Sequence, residues 1–289
     1  MVALAGVDLD VPAGSIYGLV GPNGSGKTTA LELITGLRRP TAGGVDLGCA
    51  REAVAYCPDA AEFEPWLTAR EVLELAAGLV GTPIRRAELA EMLDRVGLAE
   101  AAGRRVGGFS RGMLSRLNLA AGLIGGPQLL IADEPAAALD PAGRWEIIDL
   151  LASLAGTLTV IVSSHDLADV ERICDQIGVL NHGRLVYQGT TRDLLAKAAP
   201  AVRILVRPPA DPVRDALAAA AWVRSIREEQ PGELIAEISD PGVSELELPR
   251  LLASAGARLV EVGPAGVSLQ DVFFELTDTG PARQRSVPR

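Results

Sequence analysis

Residues 21–29 read GPNGSGKTT, and this stretch decides how the rest of the chain is to be folded. It fits the pattern G-x-x-x-x-G-K-[ST] in the context that pattern requires: an apolar run, SIYGLV, ends at Val20, and a helical run, TTALELITGL, opens inside it. Gly21, Gly24 and Gly26 let backbone N–H groups curl around phosphate oxygens, with Pro22, Asn23 and Ser25 completing the loop. The following helix adds its positive dipole end. Lys27 is placed to reach β- and γ-phosphates and Thr28 to put its hydroxyl on Mg²⁺. With Thr29 beside them, the whole stretch is expected to bind nucleotide.

Outward from the loop, short apolar runs alternate with helical ones: LLIAD, WEIIDLLASL and LTVIVSS follow in turn. That alternation predicts an α/β fold with a mainly parallel sheet. Residues 64–125 differ, being helical and rich in Ala and Leu, and read as a helical insert between two strands. Its last helix, MLSRLNLAAGLI, is expected to turn Met113, Leu117, Ala121 and Ile124 toward the core. From residue 201 a β-α-β-β-α-β order (VRILVR, DPVRDALAAAAW, VRSIREE, ELIAEIS, LELPRLLASAG, ARLVEVG) predicts a small ferredoxin-like α+β domain over 201–277, and 278–289 reads as a loose tail.

In a parallel sheet the carboxyl ends of the strands share one edge, so LLIADEP brings Asp133 and Glu134 beside the loop at 21–29. Asp133 suits the metal; Glu134 suits orienting or deprotonating an attacking water. His165 ends another strand and reaches the same edge, where it would meet the γ-phosphate. One stretch, FSRGM at 109–113, has no catalytic residue near it in sequence, and on its own Ser110 reads equally well as a helix N-cap.

Composition narrows the function. Apolar residues make up 48% of the 289 and aromatic ones 3%, so the core must be aliphatic. A net charge of −10 argues against a nucleic-acid partner, whose phosphates draw on Lys and Arg. The three cysteines show neither CxxC nor metal spacing and are expected to be inert. The N-terminus has no signal-peptide pattern, and no segment reaches the roughly 18 uninterrupted apolar residues of a membrane span.

GPNGSGKTT, FSRGM, LLIADEP, ALDP and SSHD, in this order and spacing, resemble the ATP-binding subunits of ABC transporters over residues 2–195. The resemblance implies a P-loop ABC ATPase domain over 1–200 that takes ATP and Mg²⁺. It implies a homodimer, or a pair with a similar subunit, holding two ATPs between the glycine loop of one chain and the Ser-x-Gly stretch of the other, and a separate transmembrane permease docked on the insert. Ser110 and Gly112 then serve the γ-phosphate across the interface, and Asp140 is the only polar side chain of the loop after Glu134, PAAALDP, whose usual small hydroxyl residues are alanines here. Where the family has a glutamine that touches Mg²⁺ and faces the permease, this sequence has Asp59; Arg111 replaces a glycine of the commonest signature. A strand and an adenine-stacking aromatic residue that precede SIYGLV in the family are expected to be missing. The region from 201, ending LQDVFFELT, resembles the C-terminal extension of drug-resistance type bacterial exporter subunits and implies export. A long coiled coil or basic face, as in DNA-maintenance relatives, is absent from the sequence, and a single glycine loop and signature do not match the paired halves of translation-factor relatives. A subunit that dimerises on ATP and hydrolyses poorly is the alternative reading.

Overall fold

A computed structural model of the chain describes residues 2–137, 139–196, 200–265 and 269–277. In it, the apolar runs on either side of the glycine loop lie in one sheet. β1 (Ile16–Val20) leads through the loop into α1 (Lys27–Thr35) and β2 (Val54–Cys57), and α2 (Ala69–Val80), α3 (Arg86–Arg95) and α4 (Arg111–Leu123) come before β3 (Leu129–Ala132). Then follow α5 (Pro141–Ala152), β4 (Thr159–Ser164), α6 (Leu167–Ile173), β5 (Gln176–Asn181), β6 (Arg184–Thr190) and α7 (Thr191–Ala196). The strand order is β2-β3-β4-β1-β5-β6, parallel from β2 to β5, with β6 antiparallel at the edge. The α/β fold expected from the sequence is the one the chain adopts. β1 and β3 are buried at every position, as strands covered on both faces must be, which is why they read as continuous apolar runs.

One core cluster is built from Tyr17, Leu19, Leu31, Ile131, Ile161 and Leu180, with Leu4, Val7, Leu9 and Val11 half-buried against it. On another side of β1, a Cβ added at Gly18 would stand 2.5 Å from Val170 Cγ1 and 3.0 Å from Cys174 Sγ. The missing side chain lets α6 lie close to the strand and so fixes where the chain goes just after His165.

The insert is locally well specified. Thr68 caps α2 in a reciprocal pair with Glu71: the Glu71 N–H donates to Thr68 Oγ1 at 3.3 Å, and the Thr68 N–H donates to Glu71 Oε2 at 2.7 Å. In α4 the buried residues are Leu117, Leu119, Ala120, Leu123 and Ile124, whereas Met113 and Ala121 are only half-buried. The inner face is wider than, and rotated from, the single stripe expected, because α4 packs against α2 on one side and β2 and β3 on another.

The described residues fall into two compact units, and Asp193–Glu275 is the second. It contains β7 (Ala201–Val206), α8 (Asp211–Ala218), β8 (Val223–Gln230), β9 (Glu233–Ile238), α9 (Pro241–Ser254), β10 (Leu259–Pro264) and most of α10 (Leu269–Thr277). Its antiparallel sheet runs β10-β7-β9-β8 around a core of Ile204, Val206, Val213, Leu217, Leu234, Leu248 and Leu252. α9 begins ahead of the expected LELPRLLASAG run. Asp240 caps it, accepting from the Val243 N–H at 3.2 Å, and Pro241 supplies a helical φ at the first position. The tail expected at 278–289 lies outside the described residues. Among the described residues no helix is long and apolar enough to cross a membrane.

Gly18→Ala is expected to lower unfolding free energy by about 1–3 kcal/mol, because α6 must move off β1. Gly44→Ala, where a Cβ meets nothing within 4 Å, is expected to change it by less than about 0.5 kcal/mol in the same urea titration.

Candidate nucleotide site

The glycine loop divides into a buried frame and an exposed rim. Gly21, Ser25 and Lys27 are buried; Asn23, Gly24 and Thr28 are exposed; Pro22, Gly26 and Thr29 are in between. The Ser25 N–H donates to Pro22 O at 3.1 Å, closing the turn, and the Gly183 N–H donates to Ser25 O at 2.9 Å, tying it to the turn after β5. Gly26 caps α1 with φ 108°, a conformation that glycine adopts without strain. Lys27 is 7% exposed; its Nζ donates to Gly21 O at 2.8 Å and lies 3.4 Å from Glu134 Oε1. Ser25 Oγ is buried with no hydrogen-bond partner. A buried ammonium and an unsatisfied hydroxyl in a loop closing on a helix N-terminus form a cradle that suits an anion.

Facing Lys27 is the acid edge. Asp133, 3% exposed, follows β3, and its N–H donates to Cys57 O at 2.8 Å. Ser163, in β4, joins the two acids: its Oγ donates to Asp133 Oδ1 at 2.5 Å and accepts from the Glu134 N–H at 2.8 Å. Glu134 has φ 48°, in the left-handed region that costs a non-glycine residue about 1–2 kcal/mol. Strain of this kind is held in place by its surroundings, here Ser163, Lys27 and His165. His165 Nδ1 is 2.7 Å from Glu134 Oε2, which also accepts from the His165 N–H at 3.4 Å. Lys27, Asp133, Glu134 and His165, predicted from separate motifs, therefore meet at one point.

Asp59 stands exposed after β2, and its carboxyl is raised above the usual range, first by burial and then by the charges of Asp133 and Glu134; Arg111 and His165 oppose the shift. It lies in the electric field of the acid pair. Asn118 Nδ2, from α4, donates to Pro58 O at 2.9 Å and pins the preceding residue. The Tyr56 hydroxyl is pushed up to about 12 by burial and by Asp133. Sequence reasoning missed Ser163 and Tyr56. For Ser163 a signal existed, since β3 and β4 pair Ala132 with Val162 and the next step sets Asp133 beside Ser163.

Two of the other predicted residues open helices. Ser110 is the N-cap of α4, accepting from the Met113 N–H at 3.3 Å, and Asp140 is the N-cap of α5, accepting from the Gly143 N–H at 3.3 Å. A Cβ at Gly112 would sit 3.9 Å from Leu139 Cδ2, so the start of α4 adjoins the stretch leading to Asp140.

The donor set fits a small hard cation. Asp133 has one oxygen engaged by Ser163, and Thr28 presents an exposed hydroxyl at the first turn of α1. Among the described residues no group of three or more His, Cys, Asp or Glu could hold a metal unaided. That sparse set matches Mg²⁺, which keeps water and substrate phosphate oxygens beside one or two carboxylates.

The sequence pattern of the ABC transporter family matches residues 4–137. The chain is 34% identical to the daunorubicin/doxorubicin resistance ATP-binding protein DrrA of Streptomyces peucetius, over 98% of this chain and 90% of that protein. It is 35% identical to the Nod factor export ATP-binding protein I of Burkholderia orbicola (strain AU 1054), over 94% and 91%. Among solved structures, an ATP-binding subunit of an ABC transporter superposes with a TM-score of 0.60 at 28% identity, over 68% of this chain and 86% of that one. The chain belongs to the ABC transporter family, as an ATP-binding subunit.

Proposed function

We propose that the chain hydrolyses Mg-ATP and drives a separate transmembrane permease in the direction of export. The observation that carries this reading is the placement of Glu134, between Lys27 on one oxygen and His165 on the other. Those contacts link the anion's lysine to the candidate base. When ATP enters, Lys27 exchanges Gly21 O and Glu134 for phosphate oxygens, and Glu134 is released to hold and deprotonate water. His165 keeps Glu134 oriented and faces the γ-phosphate. Thr28 and Asp133, with Asp59 directly or through water, would hold Mg²⁺, which would offset the charge of the phosphate oxygens.

Ser110, Gly112 and Asp140 act in this reading on the ATP of a second subunit, identical or similar, with the N-terminus of α4 aimed at its γ-phosphate. The functions of the two relatives, drug resistance and Nod factor export, support export. The ATPase domain is taken as 1–200, with the insert at 64–125. The region 201–277 is taken as a ferredoxin-like accessory domain, supported by its β-α-β-β-α-β order and β10-β7-β9-β8 sheet. Exposed Trp66, Leu75, Leu79 and Val80 on the insert support docking to a permease, which would place the subunit on the cytoplasmic face of the membrane.

Glu134→Gln tests the proposal most directly: turnover is expected to fall by about 100-fold or more with ATP binding retained, and an ATP-held dimer should accumulate on gel filtration. Undiminished hydrolysis would overturn the role. Ser110→Arg is expected to cut turnover by about 100-fold while monomer ATP affinity stays that of the parent; loss of ATP binding by the monomer would refute action in trans. Asp59→Ala is expected to raise the Mg²⁺ concentration for half-maximal ATPase, and a titration that overlays the parent's would remove Asp59 from the site.

A further inference from the structure

Arg144 lies one turn into α5, outside every motif, and reaches two carboxylates of the next layer. Its Nε donates to Asp169 Oδ1 at 2.8 Å and its Nη2 pairs with Asp166 Oδ2. The first contact joins α5 to α6. The second lands on the residue that follows His165.

That neighbour is itself held tightly. The Asp166 N–H donates to Ser164 Oγ at 2.9 Å, Ser164 Oγ donates to Asp166 O at 3.1 Å, and Asp166 Oδ1 accepts from the Ala168 N–H at 3.0 Å. These bonds are local to the turn that carries His165; the Arg144 contact comes from another element. The His165 side chain is 57% exposed, so packing does little to orient the ring, and its direction toward Glu134 follows from where the turn is anchored. Arg144, Asp166, His165 and Glu134 all line one small cavity. Arg144 itself sits in the first turn of α5, its N–H donating to the O of the N-cap Asp140 at 2.9 Å as the first backbone bond of that helix.

We propose that Arg144 is a positioning residue for His165, anchoring the turn that carries His165 to the start of α5 and so holding the His165–Glu134 contact. The inference rests on the hydrolytic reading of that pair. Stability alone does not account for the contact, because ion pairs about one-third exposed contribute little, and α5 and α6 are also joined by Asp169 and by the Arg172 guanidinium stacked 3.3 Å over the Trp145 ring.

The chain has two histidines, His165 and His182, so the ring nitrogens of histidine-labelled protein can be followed by NMR and assigned with His182→Gln. Arg144→Gln is expected to shift the His165 signals and leave those of His182 in place. It should also lower kcat on the order of tenfold with the KM for ATP within about twofold, and Arg144→Lys, which keeps the charge but not the two-pronged reach, should recover only part of the loss. Asp169→Asn, which loosens α6 and spares Asp166, is expected to leave the His165 signals unmoved. Unchanged His165 signals in Arg144→Gln, or equal shifts in Asp169→Asn, would overturn the inference. Glu134→Gln measured alongside separates the two ideas: if it retains turnover, the hydrolytic reading falls, while the NMR comparison still decides whether Arg144 places His165.

Discussion

The Lys27 ammonium is almost wholly withdrawn from water, and the structure depends on how its charge is met. A buried amine is tolerated only with partners, and here they are the Gly21 carbonyl and the Glu134 carboxylate. Both contacts demand that the end of β1, the start of α1 and the end of β3 arrive together. The parallel sheet delivers that: β1 and β3 flank β4, all with their carboxyl ends on one edge. Ser163 then fixes the spacing of the two acids with a single hydroxyl that donates to one and accepts from the other. Each partner comes from a different strand end, so the site can form only when the sheet does.

Most of this was legible in the sequence because the controlling features are local. A strand, a glycine loop and a helix within twenty residues specify the cradle, and apolar runs ending in Asp-Glu and Ser-Ser-His specify the edge. What stayed hidden is relational. The left-handed φ of Glu134 follows from being held on three sides, and a Glu followed by Pro gives no sign of it. The inner face of α4 was misjudged because period alone cannot say that a helix is covered on two sides. The early start of α9 was legible in principle, since Asp240-Pro241 is a cap followed by a helix-compatible proline, but Pro249 within the same helix reads as a breaker.

Ser110 shows why two readings of one residue need not compete. It caps α4 through its side chain and would also face a phosphate, and the same physics serves both roles: a helix N-terminus has more N–H groups than one hydroxyl can satisfy. Ser110 Oγ meets one of them, leaving others and the dipole directed outward. Asp140 repeats the arrangement at α5. The start of α4 adjoins the stretch leading to Asp140, with Gly112 close to Leu139. At α5 the first residue is Pro141, which has no N–H, so the larger set of free donors belongs to α4.

The two departures from the commonest family pattern belong to one electrostatic problem. Asp59 adds a negative charge where a glutamine is usual, and partial burial first, then the charges of Asp133 and Glu134, raise its carboxyl. Arg111 adds a positive charge at the first residue of α4, where the helix dipole disfavours a cation. Each substitution alone is unfavourable, the one by like-charge repulsion and the other by the dipole. Together they partly cancel, since Arg111 is among the groups that pull the Asp59 carboxyl back down.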